Sequence, residues 1–306
     1  MKYQAYGYSD ENKPLIVDIP QTHYEVVRKA KSTCLFAVEL EEKFALLLDN
    51  YAEFEFELLR LAESALIWRN RGHADAMQER LILDRRLVNL LTACRLYLDQ
   101  TDHGISTLFG NPSNELDTIK KFKNSLYDQH FGYRLMEALR NHVQHSGLPV
   151  RIISYGSSRS TGKGPDYTEF VVRPKADIKE LRENPSFKHA ILEELPTGEK
   201  EIDLRGPVRE YMACFCELHD KLRETIKVVA DSARHSYQAA VTEFSTLNGQ
   251  NVRFPSLAEL HDDDRKNGEV VLTTVFLDYL DKLQKRNSVN KLLQRSTASN
   301  SDQVKT

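Results

Sequence analysis

Arg140-Asn141-His142-Val143-Gln144-His145, closed by Ser146-Gly147-Leu148-Pro149, gathers a guanidinium, an amide and two imidazoles into one short run. Such a set suits a phosphodiester. Cutting RNA without a metal needs a base for the 2′-hydroxyl proton, an acid for the leaving 5′-oxygen and a cation to hold the charge of the phosphorane. His145 can serve as base or acid, since imidazole titrates near neutral pH. Arg140, planar, forked and always charged, fits the phosphate oxygens. Asn141 can orient His145 or donate a hydrogen bond to the phosphate. His142 lies about 60° round a helix from His145, and is read as an auxiliary proton carrier or as a surface or interface residue. This chemistry calls for no cofactor and no metal.

A helix must carry these groups. It is expected to start near Phe131 and to stop at Gly147, because Gly just past a helix and Pro two residues later are stop signals. His145 then occupies the last turn, where the carbonyl end of the macrodipole favours a cation. At about 100° per residue, Asn141 and His145 stand about 40° apart, with Arg140 one step round. Leu135, Met136 and Leu139 form the apolar stripe of the same helix. Arg182 and His189 have a loosely similar spacing, but Pro185 lies between them and forbids one continuous helix. Asp102 and His103, near the end of a preceding helix, are auxiliary candidates for placing an acid beside His145.

Arg140, Asn141 and His145 resemble the signature of the HEPN superfamily (higher eukaryotes and prokaryotes nucleotide-binding): Arg, a polar residue that is often Asn, three residues, then His. The resemblance in sequence is confined to about fifteen residues around Arg140 to Pro149. It implies an all-helical domain and metal-independent RNA cleavage. It further implies a homodimer whose two subunits share a cleft, products ending in a 2′,3′-cyclic phosphate and a 5′-hydroxyl, and a role as a toxin or anti-phage defence effector with an antitoxin or defence-system partner. Alternatives are a catalytically inactive HEPN-like module that binds RNA or a protein, and a helical scaffold or adaptor of another lineage.

Composition bounds the rest. The chain has 306 residues, 41% hydrophobic and 28% charged, enough to bury a core. A formal net charge of −3 argues against a general nucleic-acid binder, so any RNA site must be local. The candidate strip holds Arg151, Arg159, Lys163, Arg173 and Lys175 against Asp166 and Glu169, and reads equally as a solvated hairpin. Cys34, Cys94, Cys214 and Cys216 make no disulfide framework or zinc set and are expected as free thiols in a reducing cytosol. No apolar stretch suggests a leader or a membrane span, so a cytoplasmic protein is expected. Gly156 to Gly164 mimics a phosphate loop, but its spacing departs from the pattern and Lys163 is followed by Gly. His261-Asp262-Asp263-Asp264 reads as a charged loop or helix cap more readily than as a cation site.

Periodicity predicts a mainly α fold: an antiparallel helical bundle with long helices and an inserted β-hairpin. Residues 1–20 read as an extended segment, with Pro14 and Pro20. Residues 21–287 read as the helical domain, and 288–306 as a disordered tail rich in Ser, Asn, Gln and Lys. Apolar spacings of three and four give one helix or two collinear ones over about 24–68, further helices over 74–98 or beyond, 204–244 and 270–283, and one that opens after Asn111-Pro112-Ser113. The hairpin is placed near 148–175, with strands over 148–155 and 167–173.

Overall fold

A computed structural model describes residues 1–68, 72–160, 167–195 and 197–289, and only the backbone of 157–160 and 167–169. The described residues are mainly helical with small antiparallel sheets. In chain order the elements are β1 (Lys2–Tyr8), β2 (Pro14–Asp18), α1 (Gln21–Ile67), α2 (His73–Phe109), α3 (Asn114–Gln129), α4 (Phe131–His145), β3 (Ile152–Ser160), β4 (Tyr167–Asp177), α5 (Ile178–Glu183) and α6 (His189–Glu194). They continue with β5 (Glu201–Asp203), α7 (Arg205–Glu243), β6 (Thr246–Leu247), β7 (Gln250–Asn251), β8 (Arg253–Leu260), β9 (Lys266–Val271) and α8 (Val275–Arg286). None of the described helices is long and apolar enough to cross a membrane.

The stripes bury as their spacing requires. Leu40, Phe44, Leu47, Phe54, Leu58 and Leu61 are all buried along α1, one unbroken helix. Ser113 caps α3, its Oγ accepting from the Leu116 amide at 3.2 Å, and Glu115 and Asp117 sit in the first turn where they complement the dipole. Pro185 separates α5 from α6, so Arg182 and His189 stand on different helices. Residues 290–306 lie outside the described residues.

The chain divides into two compact units, one of residues 1–45 with 222–288, the other chiefly of residues 46–221. In the first unit residues 1–20 are not a lone extended segment: β1 pairs with β2 and with β8 in a four-stranded sheet of order β2-β1-β8-β9. The expected helix near 270–283 is corrected here, since Val270 and Val271 finish β9 and the helix begins at Val275. The sequence of β8 contains Pro255 and that of β9 is mostly polar, so neither shows the alternation of a half-buried strand. Their sheet exists because Ala5, Leu257 and Val270 pack on Tyr24, Val27, Tyr237 and Phe244. In the turn between β8 and β9 each carboxylate has a cation: Asp262 the terminal amine, Asp264 Lys2, and Asp263 Arg265.

The second unit holds α4. Its N-terminus is pressed onto α7. Gly132 donates its amide to Glu210 Oε2 at 2.7 Å, and His130 Nδ1 contacts Glu210 Oε1 at 3.0 Å. A Cβ at Gly132 would stand 2.5 Å from Glu210 Oε2 and 2.7 Å from the Pro207 carbonyl oxygen. Gly132→Ala is therefore expected to cost about 1–3 kcal/mol by overpacking, read as a lower midpoint in urea unfolding; an unchanged midpoint would mean that the close approach is not needed. Leu135, Met136 and Leu139 of α4 are fully buried, as are Leu87, Leu90 and Cys94 of α2 and Tyr211 and Phe215 of α7. The β3-β4 hairpin follows α4, and β5 adds a third strand to it.

Candidate active site

The structure places His145 in the last turn of α4, exposed and without a hydrogen bond or ion pair to any described residue. Arg140 is half-buried one turn earlier. Its Nη2 donates to Asn141 Oδ1 at 2.5 Å and its Nη1 to Gln144 Oε1 at 3.2 Å. Both partners lie on the side of the helix that leads round towards His145, so the guanidinium leans that way. Its Nε is buried with no hydrogen-bond partner. The outer N–H groups of a fork held in this manner can take an anion beside an imidazole that can move a proton.

His142 corrects its expectation as a surface or interface residue: it is only 3% exposed. The Asn184 side-chain nitrogen is 2.8 Å from its Nδ1, while Asn184 Oδ1 accepts from the Ser186 amide and hydroxyl. That fixes the amide, so Nδ2 donates and Nδ1 accepts, and the ring carries its proton on Nε2. Burial lowers the His142 pKa, with Glu180 raising it and Arg151 lowering it to lesser degrees. His142 is thus a neutral, oriented imidazole beneath the turn that carries His145.

The other expected residues scatter. Asp102 pairs with Lys123 of α3 at 2.5 Å, and His103 is exposed beside it. Asp84, near the start of α2, binds Val150 just past α4, which puts Asp102 roughly 27 Å further along α2. Asp102 and His103 are therefore remote from the His145 turn, a correction to their auxiliary placement. Arg151 pairs with Glu180 at 2.5 Å, and Arg173 stands 4.0 Å from Asp203 with its guanidinium over Gly156. Neither is an unopposed cation. The Arg159 side chain lies outside the described residues, as do residues 161–164 of the phosphate-loop mimic, Lys163 among them.

No protein-family model matches this chain, and no curated protein or solved structure does either. Function has to be read from the side chains themselves.

Asp84 is the residue that the sequence reading missed. It is fully buried, its Oδ1 accepts the Val150 amide at 2.8 Å, and its Oδ2 has no partner. An acid within the stripe of Leu83, Leu87 and Leu91 was a visible signal, because an unpaired charge rarely occupies a core position. Desolvation pushes its pKa up from 3.8 to about 6, against the Val150 hydrogen bond and the charges of Arg80 and Arg151. The folded protein thus holds this proton more tightly than the unfolded chain. Its contribution favours folding at low pH and becomes a cost as the pH rises from about 4 through about 6. Asp84→Asn keeps an acceptor for Val150 and removes the charge. The variant is expected to gain about 2–3 kcal/mol relative to wild type between pH 4 and 7, measured by urea unfolding at both ends; parallel curves would show that Asp84 does not titrate there.

The cysteines are inert. All four are buried and unpaired, and burial pushes the thiols up, Cys34 to about 11 and Cys214 and Cys216 to about 12. Thiolate chemistry and metal ligation need the opposite shift.

Proposed function

We propose that this chain is a metal-independent endoribonuclease of the HEPN type that cuts cellular RNA such as tRNA in the cytoplasm, as a toxin or an anti-phage defence effector. One observation carries the reading: an exposed His145 in the last turn of α4, with no hydrogen-bond or ion-pair partner among the described residues, and the Arg140 guanidinium held by Asn141 on the side that leads to it. The reading includes a homodimer in which each subunit offers Arg140 and His145 to a common cleft, and an antitoxin or defence-system partner that restrains it. An antiparallel helical bundle in the second unit belongs to the same proposal. It is supported by the opposite directions of α2 and α4: Asp84 meets Val150, while Cys94, later in α2, feels Glu137, earlier in the chain.

The test is purified protein with bulk RNA in excess chelator. Cleavage leaving 2′,3′-cyclic phosphate and 5′-hydroxyl ends is expected. Intact RNA over a range of protein concentrations that includes the dimer would overturn the reading. A non-catalytic HEPN-like module that binds RNA or a protein is the second reading. It is favoured by the internal hydrogen bonds that already occupy both terminal nitrogens of Arg140, and by the acids beside Arg151 and Arg173.

A further inference from the structure

Phe254 is at odds with both its backbone and its burial. Its φ is +55°, in the left-handed region that strains a bulky side chain, and it precedes Pro255, a position normally held to extended backbone. The other non-glycine residues with positive φ among the described ones, Asn12, Asn248 and Asp264, are of the types that accept it. Packing offers no compensation, because Phe254 is 71% exposed. The irregularity in the pairing of β1 with β8 falls here, between Tyr6 and Tyr8, and a glycine would form it without strain. A phenyl ring kept in water at such a position calls for a contact outside the chain.

Its surroundings are those of a stacking surface. In β1, Ala5 belongs to the core and Tyr3 packs on Tyr24, so the alternate residues Tyr6 and Tyr8 face the other way. The register sets Ile16 of β2 and Ser256 of β8 beside Tyr6, Val271 of β9 beyond Ser256, and Pro14 and Arg253 beside Tyr8. Tyr8, Ile16 and Val271 are exposed, so this face of the sheet is open. The Arg253 guanidinium lies 5.5 Å from the centre of the Phe254 ring, and its Nη1 donates to Asn12 Oδ1 at 3.2 Å. Arg253 is in no ion pair with a described residue. Lys266 stands 5.6 Å from the centre of the Tyr6 ring but is shared with Glu269. Asp18 and Glu269 interrupt the apolar residues of this face, which suits a polar ligand with aromatic parts better than burial against another protein.

We propose that this open face, at Tyr8, Arg253 and Phe254, binds single-stranded nucleic acid, the two rings stacking on bases and the guanidinium meeting a phosphate. Stacking needs a base whose π-face is free, which a single strand offers and a duplex withholds. A guanidinium whose hydrogen bond goes to a neutral amide keeps its charge available for a phosphate. The site lies in the first unit and stands on residues separate from Arg140 and His145. It goes beyond the proposed cleavage by giving the chain a hold on a nucleic-acid strand that Arg151 and Arg173, each beside an acid, do not supply.

The test is binding of a labelled oligothymidylate to the full-length protein in chelator, read by fluorescence anisotropy, since this strand can stack but has no 2′-hydroxyl through which it could be cut. The strand is expected to bind, and a DNA duplex of equal length to bind roughly tenfold more weakly or less. Phe254→Gly should weaken the strand roughly tenfold, while its midpoint in urea unfolding stays level or rises, because the strain leaves with the ring. A ring that served only the fold would give the opposite, a lower midpoint with binding unchanged. Tyr8→Ala should weaken the strand by a similar factor. Arg253→Gln should weaken it and flatten the logarithmic dependence on salt by about 0.7. Unchanged affinity in Phe254→Gly and Tyr8→Ala, equal binding of strand and duplex, or no binding of the strand would overturn the proposal. So would a loss of self-association in Phe254→Gly, read by sedimentation velocity, without a loss of binding, since the face would then be a contact between proteins. Each of these outcomes leaves RNA cleavage through His145 untouched, and failure of that cleavage leaves strand binding on the sheet standing.

Discussion

His145→Ala is expected to reduce RNA cleavage by two to four orders of magnitude, since positioned general acid–base catalysis contributes roughly 10²–10⁴-fold. The side chain is exposed and makes no hydrogen bond or ion pair to a described residue, so its loss should change stability by no more than about 0.5 kcal/mol. That separation makes the variant informative. Arg140→Ala should cost roughly 10²–10³-fold through the lost stabilisation of the phosphorane. Arg140→Lys should not restore activity, because a point charge cannot hold Asn141 and Gln144 while also meeting a phosphate. Controlled expression in cells reads the same effect as arrested growth and fragmented RNA with wild type, and neither with His145→Ala. If wild type and the equally folded variant behave alike, His145 is not a catalyst and the binding-module reading takes its place.

Arg223→Ala is expected to cost about 3–5 kcal/mol of stability, the range for stranding one member of a buried ion pair. Glu41 is 1% exposed, and Arg223 grips its two oxygens at 2.6 and 2.7 Å. Asn287 adds bonds of 2.8 Å to Glu41 Oε2 and 2.9 Å to the Glu41 carbonyl, which ties the end of α8 to α1 and α7 within the first unit. Removal of the guanidinium takes away the charge that offsets the desolvation of this buried carboxylate, while the Asn287 amide remains bound to it. Replacing both partners by apolar residues, Glu41→Leu with Arg223→Met, should recover most of the loss, because neither charge then has to be desolvated. Urea unfolding of the single and double variants forms the cycle that measures this coupling. Additive losses would mean that the pair is solvated in practice and contributes little.

Both predictions draw on residues whose legibility in the sequence differed. The motif was visible because Arg140, Asn141 and His145 are local: one helix carries them, and helical spacing fixes their relative angles. Glu41 stands in an acidic run with Glu39 and Glu42 that reads as a solvated helix face, since nothing nearby in sequence announces Arg223 or Asn287. His142 shows the same limit at closer range. Its angle on the helix was readable, but its burial depends on Phe187 and Asn184, which come from the connection between α5 and α6.

By itself the sequence determined the long helices, the capping of α3, the break at Pro185 and the position of His145 at the end of α4. These follow from spacing, propensity and caps, which act over a few residues. Only the tertiary structure decided that β1 and β2 join β8 and β9, that Asp84 fastens the chain past α4, and that Asp102 and His103 stand far from His145. It alone brought Glu180 of α5 up to Gly147 and His142. Strand pairing across most of the chain length and the burial of single polar groups depend on which elements meet, and that is set by the collective packing of apolar faces, to which no local pattern gives access.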